Sequence, residues 1–182
     1  MDGNREKIKK KMRFKDFINE SIIDIPRRTY APKVFDDADT KNPKIKASVK
    51  AQIQAQLKEF ESEYPILKTS LIGSILTKRY TNDAYLHINI LFDVPGDKQE
   101  LERLRLSKKY LSAKTAGNVQ GKLIPGSEHP INFYFITDKE TYEDQNKKGD
   151  AVFDIESDKF VKRPEDFSWD TGLYIKDFGK KG

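Results

Sequence analysis

Gly73 and Ser74 close the apolar pair Leu71-Ile72, and this pairing suits contact with phosphate. A glycine puts no side chain between an anion and the backbone, and a serine hydroxyl adds a donor. Lys78 and Arg79 follow shortly and could neutralise part of a triphosphate. A plainer reading stands beside this one: Gly73 turns the chain and Ser74 caps a short helix. Past a polar loop, Tyr85 to Asp93 alternates as a strand does. Leu86, Ile88, Ile90 and Phe92 make one face, and Tyr85, His87, Asn89 and Asp93 the other. His87 on the polar face could act as a general base or recognise a base, or simply be a hydrogen-bonded strand histidine. His129, next to Pro130, suits setting a loop better than catalysis.

Transfer of a phosphoryl or nucleotidyl group needs divalent metal, and Mg²⁺ is held by carboxylate oxygen. Asp83 and Asp93 are the carboxylates that flank this stretch. Between them, Tyr85 has no anionic oxygen near neutral pH, and His87 is a ligand for softer metals. Nothing resembles a Ser-His-Asp triad or a His-x-Glu metal motif. The chain has no cysteine, which removes thiol nucleophiles, Cys-ligated zinc, iron–sulfur clusters and disulfides.

The elements that must position these residues follow from pattern. Ile45, Val49, Ile53, Leu57 and Phe60 recur at helical spacing, with Asn42-Pro43 as the expected helix start and Tyr64-Pro65 as its stop. A strand is expected over 66–72, a short helix from Ile75, and the alternating strand from Tyr85. Val94-Pro95-Gly96 ends that strand. Asp97 and Glu100 then predict a capped helix carrying Leu101, Leu104 and Leu111. Residues 118–125 read as a loop with a short strand. Ile131 to Thr137 is a strand in which Phe133 and Phe135 alternate with Asn132 and Tyr134; its aromatics could stack bases but more simply fill the core. A weaker strand pair covers 152–155 and 159–162. Alternating helices and strands predict an α/β or α+β layer: a small mixed sheet with flanking helices.

At 182 residues with no internal repeat, the chain is expected to hold one domain with extensions. A basic arm and proline-containing linker occupy 1–29, the domain 30–163, and a polar tail 164–182. The net charge of +5 is uneven, with Arg5, Lys7, Lys9, Lys10, Lys11, Arg13 and Lys15 crowded into the arm. Such an arm could bind nucleic acid in a salt-dependent way, dock on a protein partner, or serve only as a solvated terminus. No apolar run is long enough to span a bilayer and no signal-peptide-like stretch opens the chain. The expectation is a soluble cytoplasmic protein that meets no membrane.

The run Leu71-Ile72-Gly73-Ser74, a spacer over 75–84, and the strand from Tyr85 resemble the polymerase-beta-like nucleotidyltransferase superfamily. Its signature is a hydrophobic pair, Gly-Ser, a spacer, and Asp-x-Asp in a strand. Arg79-Tyr80-Thr81-Asn82-Asp83, His129-Pro130-Ile131-Asn132-Phe133-Tyr134 and the stretch Tyr30 to Asp36 are similar to small nucleotidyltransferase-like proteins of tailed bacteriophages. The resemblance covers roughly residues 30–162. It implies a nucleotidyltransferase-like fold with Gly73, Ser74, Lys78 and Arg79 on nucleotide phosphates. It puts the metal-binding aspartates at Tyr85 and His87 and the third carboxylate at Asn132, and all three lack the charge. Two readings follow: a pseudoenzyme that binds nucleotide or nucleic acid, or an enzyme using Mg²⁺ or Mn²⁺ with Asp83 or Asp93 as substitutes. A third is a structural or interaction module of a phage-like assembly.

Overall fold

The computed structural model describes residues 27–110, 119–124, 126–164, 167–168 and 173–174. The basic arm, Leu111 and most of the tail lie outside the described residues. Two short strands, β1 (Phe35–Asp36) and β2 (Lys44–Ile45), pair with each other and precede helix α1 (Ala47–Glu61). Strand β3 (Ile66–Ile72) follows, then a 3-10 turn over Ser74–Leu76 and strand β4 (Leu86–Phe92). Helix α2 (Gln99–Tyr110) and strands β5 (Val119–Leu123) and β6 (Pro130–Ile136) come next. Helix α3 (Lys139–Lys148) and strands β7 (Val152–Asp154) and β8 (Lys159–Lys162) complete the main layer. A last hairpin pairs β9 (Phe167–Ser168) with β10 (Leu173–Tyr174).

The main sheet has six strands in the order β5-β6-β4-β3-β7-β8. Its one parallel pair is β4 with β6, joined by a crossover that contains α2; a parallel pair requires such a long connection. This is a mixed α+β fold, as the alternation predicts.

The hydrophobic face of β4 sets one side of the sheet. Leu71 stands beside Ile88 and Phe153, and Ile88 beside Phe133. Val49, Ile53 and Phe60 of α1 and Leu106 of α2 bury against this face. The Phe60 ring meets Phe133, Phe135 and Tyr110 edge-on, with centroids 4.9–5.1 Å apart. Each such ring contributes about 2–3 kcal/mol by burial. The stretch after Arg27 joins this core: Tyr30, Ala31, Val34 and Phe35 are buried, and Phe35 packs edge-on against Phe153.

Three expectations change. Asn42-Pro43 does not start α1, which begins at Ala47. Ile45 is held in the β1–β2 pair and by Asp158, whose Oδ1 accepts from its N–H at 3.1 Å, so the helix starts after it. The helix expected from Ile75 is a single 3-10 turn, because the chain is extended again at Thr77. On α2, Leu101 and Leu104 face solvent and Leu106 is the buried position. Helix α3 has no counterpart in the sequence reading. Asp138 caps it, accepting from the Thr141 N–H at 2.8 Å, with Glu140 in its first turn and Lys147 and Lys148 in its last. These charges complement the helix dipole.

Candidate functional site

Helix α3 covers the second face of the sheet, and it does so with polar groups. Leu91, Ile136 and Tyr142 form a small apolar cluster. Beside it, the Asn89 amide donates to Asn146 Oδ1 at 3.1 Å and Asn146 Nδ2 donates to Ser70 Oγ at 3.1 Å. Ser70 Oγ also shares a short hydrogen bond with the Tyr142 hydroxyl. Asn89 is therefore absorbed by packing. The next row of side chains on this face is Ile72, His87 and Asn132, in register across β3, β4 and β6.

His87 is the centre of that row. Its Nδ1 shares a hydrogen bond with the Tyr134 hydroxyl at 3.1 Å. The exposed Tyr85 ring lies nearly parallel to the imidazole, at an interplanar angle of 15° with centroids 5.8 Å apart. Burial pushes the His87 pKa below the ordinary imidazole value, so the ring is neutral at pH 7. Gly73 abuts the same ring. A Cβ on Gly73 would stand 2.9 Å from His87 Cδ2, and the residue has φ +99°, ψ −175°, a region open essentially to glycine alone. Asn132 is buried, and its Oδ1 accepts no hydrogen bond. Leaving such an acceptor unsatisfied costs about 1–3 kcal/mol.

Tyr85, His87, Asn132 and Gly73 thus gather at one end of the sheet, and the exposed Ser74 adjoins them. Tyr134 belongs with them. Its alternation with Phe133 and Phe135, both core residues, marks it as facing away from the core. Lys78 does not reach the site. It is 3% exposed, its Nζ donates to the Arg28 carbonyl at 2.7 Å, and it lies over the Tyr30 ring. Its role is to hold the segment after Arg27, and burial lowers its pKa. Arg79 is half-buried, and its N–H donates to Thr77 Oγ1 at 3.1 Å. His129 is buried and its Nδ1 is hydrogen-bonded to the Ala84 carbonyl at 2.8 Å, a loop-setting role.

The residues present do not fit a divalent metal. Asp83 is exposed and accepts from Thr81 Oγ1 at 2.8 Å. Asp93 lies beyond the opposite end of β4, about 20 Å from His87 at the usual rise of a strand. Among the described residues, no three His, Asp or Glu side chains group closely enough to hold a metal ion. What the arrangement offers is a pair of stacked aromatic rings beside one buried, unused amide oxygen. Among the described residues, no helix is long and apolar enough to cross a membrane. No protein-family model, curated protein or solved structure matches this chain.

Proposed function

We propose that this chain is a nucleotidyltransferase-fold protein that binds nucleotide or nucleic-acid phosphates at the Gly73-Ser74 turn and has lost metal-dependent nucleotidyl transfer. One observation carries the reading. The positions to which the resemblance assigns carboxylates, Tyr85, His87 and Asn132, lie together beside Gly73 at one end of the sheet, and none of them is a carboxylate. The order β3, Gly-Ser turn, antiparallel β4, then β6 parallel to β4, supports it further. The working-enzyme reading would need Asp83 or Asp93 as ligands beside His87; Asp93 lies beyond the far end of β4, and Asp83 is exposed on the loop before Tyr85 and accepts from Thr81.

Isothermal titration with each nucleoside triphosphate, in Mg²⁺ and in EDTA, tests the proposal. Binding that does not depend on the metal, with no pyrophosphate released, is the expected result. Absence of binding under both conditions would sink it, and release of pyrophosphate would restore the enzyme reading.

A further inference from the structure

Three features at this end of the sheet remain unused by a phosphate at the Gly73-Ser74 turn. Asn132 Oδ1 is closed to water and accepts nothing. The imidazole of His87 has one nitrogen committed to Tyr134. Tyr85 is 40% exposed, large and aromatic, and stands parallel to His87 where a polar surface residue would cost nothing. A planar heterocycle with a hydrogen-bond donor on its edge uses the first and the last. Its face stacks on a tyrosine ring, and its donor answers the orphan acceptor.

We propose that this end of the sheet is a nucleobase subsite selective for the 4-amino group of cytosine and the 6-amino group of adenine, with Tyr85 as the stacking platform and Asn132 Oδ1 as the acceptor. This rests on the nucleotide-binding reading above and deepens it. The amino groups of cytosine and adenine donate to Asn132. Uracil and hypoxanthine present a carbonyl at the same place, which sets oxygen against oxygen and leaves both unpaired. Oδ1 is closed to water, so binding of a base requires the side chains at this end of the sheet to move aside and expose it. The neutral state of His87 suits the site, since an imidazolium would repel an amino-bearing edge.

The test titrates the full chain with cytidine, uridine, adenosine and inosine monophosphates and with inorganic tripolyphosphate. Cytidine and adenosine monophosphates are expected to bind roughly tenfold more tightly than uridine and inosine monophosphates, the worth of one satisfied acceptor. Asn132→Leu removes the orphan oxygen at similar volume. It is expected to fold at least as stably and to lose the amino-base preference, whereas Tyr85→Ala is expected to weaken all four nucleotides together. If tripolyphosphate binds but the four nucleotides do not differ, or Asn132→Leu leaves the preference intact, the base subsite is overturned and the phosphate reading stands. If neither tripolyphosphate nor any nucleotide binds, both fall.

Discussion

At Gly73 two constraints exclude a side chain independently: the backbone conformation and the His87 ring against it. The glycine that reads as a phosphate contact is also what lets a histidine lie flat at the end of β4. Gly73→Ala should therefore cost about 2 kcal/mol, from the strained backbone and displacement of the imidazole. Chemical denaturation measures this, and an unchanged midpoint would show that the turn relaxes freely. The carboxylate pair that the proposed nucleotidyltransferase reading expects at this end of the sheet can be introduced. Tyr85→Asp together with His87→Asp places two carboxylates on one face, and one of the two positions is already open to solvent. The double variant should fold and bind nucleoside triphosphate more tightly in Mn²⁺ than in EDTA, without transfer, because Asn132 still cannot take a proton. A folded double variant with no metal-dependent gain would show that these positions are not the family's ligand positions.

At the scale of elements, α3 decides how much of the second sheet face stays open. It reaches Ser70 and Asn89 through Asn146 and Tyr142, and the row holding His87 and Asn132 lies beyond those contacts. Asn146 serves two buried partners, whereas Tyr142 shares Ser70 with Asn146. Asn146→Ala should thus cost about 2–3 kcal/mol, since it strands the buried Asn89 amide and takes one of two partners from Ser70, and Tyr142→Phe only about 1 kcal/mol. Urea unfolding of the two variants checks the order. Equal losses would mean that apolar packing of Tyr142, not the amide network, holds the helix to the sheet.

Across the whole molecule, polar clamps tie distant segments of chain to the sheet layer. Lys78 fastens the stretch after Arg27, and the Arg27 guanidinium lies 4.4 Å above the Tyr80 ring. Lys78→Ala should lower stability by about 2 kcal/mol through loss of a charge-assisted bond, and leave nucleotide affinity unchanged. A large loss of affinity with the fold intact would return Lys78 to the phosphate site. A second clamp joins the end of α1 to α2. Lys109, Arg105 and Tyr110 surround Glu63 and hold its pKa at about 2, against an ordinary 4.5. A carboxyl depressed in the folded state contributes stability above its unfolded pKa and loses it as pH falls through the folded value. Thermal stability should therefore drop between about pH 4.5 and pH 2, and Glu63→Gln should flatten that part of the profile while lowering stability at neutral pH. An unaltered acid limb in the variant would assign the loss to other carboxylates.

Where a side chain's surroundings follow from its own segment, the sequence sufficed. Alternation from Tyr85 to Asp93 and from Ile131 to Thr137 marked two central strands within a residue or so of their ends, 66–72 read as a third, and helical spacing from Ile45 to Phe60 marked α1. The same alternation put Tyr85 and His87 on one face of β4, away from the core. Periodicity is a local signal, so it survives without neighbours. It failed where neighbours decide. Helix α3 buries one large apolar side chain, Tyr142, and holds on by amides and hydroxyls, which leave no apolar stripe to detect. Leu101 and Leu104 look like a core stripe, yet α2 is rotated so that Leu106 faces the sheet. Lys78 reads as a cation for a triphosphate until the segment after Arg27 folds over it. The orphan oxygen of Asn132 and the contact of Gly73 with His87 depend on which strands lie side by side. Pairing between strands is a long-range choice, made by the packing of the entire sheet, and only the tertiary structure contains it.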